Sequence, residues 1–193
     1  MGDPTGGSRN VTTRTVPRAV PTRDLLRPAE AAAALAAGAA LAAGALVVEG
    51  LTARGAVGAI LCPVLVLLSA IDLRHRLLPD MIVVPAAIAV AAAVAAGGLH
   101  DLAVHAIAGT AAFAVFFLAA VASPGGMGVG DAKLAFLIGL ALGGRTIAAM
   151  VFTAVGVLAI SGFLVATRGR AGLRTTIAFG PLLAAGAMVA YFL

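Results

Sequence analysis

The sequence predicts an all-α fold, a polytopic bundle of about seven transmembrane helices. Of its 193 residues, 62% are hydrophobic and only 11% are charged, and the mean hydropathy is +1.10. A soluble domain carries about 25% charged residues. A chain this apolar needs lipid around it, because it would otherwise expose large apolar patches to water. The net charge of +5 is therefore interpreted as a topology signal of a membrane protein rather than as a nucleic-acid-binding surface.

Apolar segments recur along the chain, at 31–48, 55–71, 81–96, 102–122, 132–142, 146–166 and 176–193. A spanning helix needs roughly 20 apolar residues, and the first four, the sixth and the seventh segments fit if their boundaries move slightly. The fifth is too short to span alone. Gly180-Pro181 predicts a kink inside the seventh. We expect a disordered basic cytoplasmic tail over 1–28, an additional N-terminal transmembrane helix over 29–50 and a six-helix core over 54–193.

The basic residues predict that the N-terminus lies in the cytoplasm. With seven segments threaded from that side, 11 of the 13 Lys and Arg residues fall on the cytoplasmic face, and only Arg54 and Arg145 fall outside. This is the bias expected of an inner-membrane protein. The same threading places Asp72 at the end of an inward-running helix and Asp131 at the start of an outward-running one. Both carboxylates are therefore expected at one depth, near the cytoplasmic face.

A glycine-rich stretch separates the fourth and fifth segments. Four glycines between positions 125 and 130 precede Asp131, and Lys133 is the only lysine of the chain. Glycine allows sharp turns and close backbone approach, and an ionisable residue at the mouth of a membrane helix marks a candidate functional site. The acids of the tail, the first helix ends and the outer loop have ordinary interfacial explanations. Asp72, Asp80 and Asp131 remain as the acids of interest.

The sequence gives little support to a metal site, a cofactor site or a serine-protease site. The chain has one cysteine, Cys62, lacks an HExxH motif and spaces its three histidines unlike a ligand cluster, so no metal or cofactor is expected. His105, in the fourth segment, is expected to be a hydrogen-bonded interior histidine. Ser161-Gly162 faintly resembles a rhomboid-type serine site, but position 159 is alanine and no histidine follows in a later helix.

Three motifs together resemble the prepilin peptidases, a family of GxGD membrane aspartyl proteases. Gly128-Val129-Gly130-Asp131 followed by Lys133 is similar to the GxGD motif. Asp72, followed by a basic stretch and then Leu78-Pro79-Asp80, resembles the first catalytic aspartate of the family and its downstream turn. Gly180-Pro181 resembles a further feature of the last helix. The resemblance extends over about residues 55–193.

The resemblance implies an endopeptidase that removes the short leader of prepilin-like proteins at the cytoplasmic face of the bacterial cell membrane. Its implied partners are the prepilin-like substrate and the lipid bilayer, without nucleic acid, metal or cofactor. Larger members carry CxxC motifs in an extra cytoplasmic domain linked to N-methylation, so this chain resembles the short form. The implied catalytic residues are Asp72 and Asp131, and the implied site-shaping residues are Gly128, Gly130, Lys133, Pro79, Asp80, Gly180 and Pro181.

Several roles stay open at this stage. From the two helix ends, Asp131 is expected to be the base that activates water and Asp72 the acid. Lys133 is expected either to reach the lipid headgroups or to assist the substrate or an ionised Asp131. Asp80 has the simpler role of stabilising a helix N-terminus. The alternative function is a small transporter or assembly subunit that uses the aspartates as an ion or proton relay, although transporter sites usually lie near the membrane midplane.

Overall fold

The computed structural model describes residues 26–122, 128–168 and 178–193, and all regular structure within them is helical. A 3₁₀ turn, Gly143–Arg145, joins the fifth helix to the sixth. The predicted all-α bundle is confirmed, whereas the predicted tail lies almost entirely outside the described residues. The helices are α1 Pro28–Glu49, α2 Ala53–His75, α3 Asp80–Ala95, α4 Leu99–Ala122, α5 Val129–Leu142, α6 Thr146–Arg168 and α7 Phe179–Phe192.

Fewer helical stretches are long enough to span a membrane than the predicted count of about seven transmembrane segments. In the described ranges, four helical stretches are long and apolar enough to cross a membrane: Pro28–Glu49, Ala53–His75, Leu99–Ala122 and the 39-residue stretch Val129–Thr167. The last one contains two predicted segments, α5 and α6, with the 3₁₀ turn between them and Gly143 in a left-handed conformation, φ 56°. Two further apolar helices, α3 and α7, have only 16 and 14 residues. The chain is a multi-pass membrane protein.

The predicted kink in the last segment is wrong. Helix α7 begins at Phe179, so Gly180 and Pro181 occupy its first turn rather than its interior. Proline is tolerated there because the amides of the first turn have no intrahelical acceptor. The stretch directly before Ala178, which was expected to start this helix, lies outside the described residues. As a result, Gly180 lies at a helix N-terminus, where its own amide is available to a partner.

Helix α5 lies at the centre of the bundle, with ten of its 14 residues buried. Its apolar side chains pack with those of α2, α3 and α7 in one core. Helix α4 approaches α5 closely because two glycines meet: a Cβ on Gly139 would lie 2.6 Å from the Cα of Gly109. Small residues commonly allow such close packing in membranes. This central position of α5 brings its first turn, with Asp131, against the neighbouring helices.

A polar contact at the other end of the bundle holds α7 against α2. The hydroxyl of Tyr191 donates to the carbonyl oxygen of Arg54 at 2.9 Å, and Nη2 of Arg54 donates to the carbonyl oxygen of Tyr191 at 2.8 Å. Arg54 also pairs with Glu49 at 3.1 Å. Because α2 and α7 run side by side in opposite directions, this contact joins the last turn of α7 to the first turn of α2, at the end of the two helices remote from Asp72.

Candidate active site

Asp72 lies in the last turn of α2 and is only 5% exposed. Its Oδ2 accepts a hydrogen bond at 3.2 Å from the backbone N–H of Gly180, in the first turn of α7. Such an amide lacks an intrahelical acceptor, so the carboxylate caps α7 from outside the helix. A Cβ at position 180 would lie 2.6 Å from Asp72 Oδ2. The contact therefore requires glycine.

Asp131 lies in the first turn of α5 and is 8% exposed. Its Oδ2 accepts a hydrogen bond at 3.2 Å from the backbone N–H of Gly128, the residue that precedes the helix. This contact fixes the carboxylate at the helix N-terminus, where acidic side chains are favourable. Gly130 lets the α2–α3 connection approach, since a Cβ there would come within 3.2 Å of the Cβ of Leu78.

The structure brings these two acids together. Helices α2 and α5 are in contact, and the carboxylates of Asp72 and Asp131 lie close enough to interact electrostatically. Within the described ranges, Asp72 and Asp131 are the only buried acidic residues. The other buried residues of the polar class there are Thr146 and Thr153. Two buried acids that interact across helices, each held by the amide of a glycine, are a candidate pair for general acid–base chemistry on a water molecule.

Lys133 has a partner that the sequence analysis did not foresee. Its Nζ lies 2.6 and 2.7 Å from Oδ1 and Oδ2 of Asp80, in the first turn of α3. Both side chains are partly exposed, at 38% and 59%. Lys133 is thus directed to α3 rather than to Asp131. The sequence did contain a signal for this ion pair, because residues of opposite charge were predicted on the same membrane face. Which residues pair depends on how α3 packs against α5, and the sequence does not show this packing.

The acid and base roles were divided according to the helix ends, but a second helix end also meets Asp72. Asp72 does lie at the C-terminal end of α2, but its carboxylate also meets the N-terminal end of α7 through Gly180. Each aspartate therefore has an amide donor from a helix N-terminus, so helix ends alone do not distinguish them. The seventh segment was predicted to begin at position 176, three residues before α7 begins at Phe179, and this concealed the contact.

The basic residues after Asp72 have separate positions. Arg74 pairs with Glu30 of α1, so it does not fold back onto Asp72. Arg76 forms the C-cap of α2 in a left-handed conformation, with φ of 52°, and lies close enough to Asp72 to interact electrostatically. His105 is far from the pair in the fold and bonds through Nδ1 to the carbonyl oxygen of Leu140 at 2.9 Å, as expected of an interior histidine.

Residues 59–169, more than half of the chain, match the model of the type IV leader peptidase family. The chain belongs to this family. The matched range contains Asp72, Asp80, Asp131 and Lys133, so the resemblance inferred from the motifs is confirmed at the level of the family. Gly180 lies beyond the match, although the structure connects it to Asp72.

One relative in the type IV leader peptidase family is the protein of Bacillus subtilis (strain 168) named "Prepilin leader peptidase/N-methyltransferase". The two sequences are 31% identical over 127 residues, which cover 66% of this chain and 51% of the relative. The chain thus spans about half the length of the curated relative it matches. No solved structure matches significantly.

Proposed function

We propose that this chain is an aspartyl endopeptidase that cleaves the leader of prepilin-like proteins, with Asp72 and Asp131 as its catalytic residues. One observation carries the proposal. In a chain of the leader peptidase family, the two acids buried within the described ranges come from different helices and lie close enough to interact. That arrangement suits activation of a water molecule by paired carboxylates.

The proposed reaction proceeds with one proton shared by the pair. The ionised carboxylate takes a proton from water while the hydroxide formed attacks the carbonyl carbon of the scissile peptide bond. The protonated carboxyl polarises the carbonyl oxygen, and the leaving nitrogen takes up a proton from the pair as the C–N bond breaks. Because the acids are coupled, the titration belongs to the pair, and either residue can act as the initial base.

The glycines around the pair are the proposed site-shaping residues. Gly128 and Gly180 supply the amides that hold the carboxylates, and Gly130 admits Leu78 against the first turn of α5. Leu78 precedes Pro79 and Asp80, so this contact and the Lys133–Asp80 ion pair hold the start of α3 beside the start of α5. Pro181 follows Gly180 in the first turn of α7. We propose that these contacts maintain the spacing of the two carboxylates.

We further propose that residues 54–193 form the peptidase core, that α1 is an additional helix and that the N-terminus lies in the cytoplasm. The 11-to-2 distribution of Lys and Arg supports this orientation. It places the aspartates at the cytoplasmic face of the bacterial cell membrane. A cysteine introduced at His75 should react with a thiol reagent from the cytoplasmic side, and one at His100 from outside. The opposite labelling would overturn the orientation.

The test of the activity is cleavage of a prepilin by the full chain in proteoliposomes. Asp72→Asn and Asp131→Asn should each lower kcat by at least about 100-fold, the smaller end of general acid–base contributions. Asp101→Asn is the matched control, because Asp101 is an exposed acid in the first turn of α4. Unchanged cleavage by either first variant would refute the proposal. Proton flux without proteolysis would indicate the relay function instead.

A further inference from the structure

An aromatic contact joins α4 to the first turn of α7. The ring centroids of Phe116 and Phe179 lie 5.7 Å apart, and the rings are tilted by 56°. Aromatic pairs attract each other at this separation. Both side chains are half-buried and pack against the hydrophobic core. Phe179 begins α7 and directly precedes Gly180, whose amide holds the carboxylate of Asp72. The Phe116–Phe179 pair is therefore one residue away from the candidate active site.

Phe116 lies at about the same depth in the bundle as Asp131. Helices α4 and α5 run in opposite directions and meet closely at Gly109 and Gly139. Phe116 comes two helical turns after Gly109, on the same side of α4, at a rise of about 10.5 Å. The same step back from Gly139 along α5 reaches Ala132, the neighbour of Asp131. The Phe116–Phe179 pair is thus level with the two acids.

The Phe116–Phe179 pair links two pairs of helices that each hold one of the acids. Helix α5 carries Asp131 and packs closely on α4. Helix α2 carries Asp72, and α7 is hydrogen-bonded to α2 at both ends. The apolar core that α5 shares with α2 and α7 joins the two helix pairs along their length. The aromatic pair adds a contact between α4 and α7 at the depth of the carboxylates, so a change in it is expected to alter their spacing.

We propose that Phe116 is a positioning residue of the peptidase. Through Phe179 it fixes the first turn of α7, and this turn holds Asp72 at its distance from Asp131. The inference rests on the proposed function. The N–H groups of a first turn have no intrahelical acceptor, so the position of the turn depends on other contacts. Gly180 has no side chain to supply such a contact, whereas the ring of Phe179 does. When the turn shifts, the amide of Gly180 shifts with it, and Asp72 loses its donor.

The first experiment compares two neighbouring phenylalanines of α4. Phe117 stacks on Phe113 of the same helix, with ring centroids 5.5 Å apart, and is 39% exposed. Phe116→Leu and Phe117→Leu remove the same ring from adjacent positions, so Phe117→Leu is the matched control and should leave kcat unchanged. With the full chain in proteoliposomes, Phe116→Leu should lower kcat for prepilin cleavage by at least about tenfold, since a displacement of about 1 Å at reacting groups lowers the rate by about 100-fold.

Two readouts distinguish positioning from packing alone. The KM of Phe116→Leu should stay within about twofold of the wild type, because the variant changes how the acids are held rather than how the substrate is bound. Phe116→Tyr, which keeps the ring, should recover most of the kcat that Phe116→Leu loses. A raised KM with unchanged kcat in Phe116→Leu would overturn the inference.

The second experiment is a double-mutant cycle with Phe179→Leu. Because either substitution breaks the same contact, the double variant should have a kcat within about twofold of the slower single variant. Thermal unfolding of the same preparations shows whether each variant is folded.

Equal losses of kcat in Phe116→Leu and Phe117→Leu, or losses that multiply in the double variant, would overturn the positioning role. Unfolding of both Phe116→Leu and Phe179→Leu would also overturn it, because the pair would then be a purely structural contact. Full cleavage by Phe116→Leu together with lost cleavage by Asp72→Asn would overturn the positioning role and leave the peptidase intact. A wild-type chain that cleaves no prepilin would overturn the proposed function.

Discussion

Gly180→Ala should abolish the proposed peptidase activity without unfolding the protein. The new Cβ would lie 2.6 Å from Oδ2 and 3.0 Å from Cγ of Asp72, whereas a relaxed contact needs roughly 3.5 Å. The first turn of α7 and the carboxylate must therefore separate by about 1 Å, which lengthens the present 3.2 Å hydrogen bond beyond its useful range. A displacement of about 1 Å at reacting groups commonly lowers the rate by about 100-fold.

The stability of this variant should change little. The lost hydrogen bond costs about 1 kcal/mol, and replacing glycine by alanine in a helix returns about 0.5–1 kcal/mol. We therefore expect a thermal unfolding midpoint near that of the wild type together with a kcat reduced by about 100-fold. The assay is prepilin cleavage in proteoliposomes, with unfolding followed on the same preparation.

Gly44→Ala is the matched control, because a Cβ at this glycine of α1 meets nothing within 4 Å. It should leave cleavage unchanged. Wild-type turnover by Gly180→Ala would show that the contact between α7 and Asp72 does not position the proposed catalytic carboxylate. A large loss of thermal stability would instead mean that Gly180 serves packing, and the argument from the carboxylate would then be wrong.

Three other predictions follow from single contacts. In a double-mutant cycle, Lys133→Met and Asp80→Asn should show a coupling free energy of unfolding of about 0.5–1 kcal/mol, because the ion pair is partly exposed. Each variant should also lower the rate of cleavage. Additive effects on the free energy of unfolding would contradict the ion pair. Tyr191→Phe should cost about 1 kcal/mol through its hydrogen bond to Arg54, measured by thermal unfolding with cleavage unchanged. The pH dependence of kcat/KM should be bell-shaped, as expected of one acid and one base, and a monotonic profile would contradict the shared proton.

The sequence predicted the class of fold and the two central acids for physical reasons that act locally. An apolar composition requires lipid, and the alternation of basic loops with apolar segments predicts which helix ends share a face. Asp72 and Asp131 were expected at one depth on this basis, and the structure brings them together. The predicted count of spans was too high because α3 and α7 have only 16 and 14 residues, and composition alone does not fix where a helix begins and ends.

The contacts that the sequence missed all join residues that are distant along the chain. Gly180 could be recognised as unusual, but its hydrogen bond to Asp72 depends on where α7 begins and on its packing against α2. The same holds for Lys133, whose charge indicated a partner while the packing of α3 on α5 selected Asp80 over Asp131. A membrane helix has few polar side chains, so each carboxylate at a helix mouth is satisfied by whichever helix end packs beside it. Two glycines, 128 and 180, supply those amides here, so both carboxylates are held by backbone N–H groups at the starts of α5 and α7.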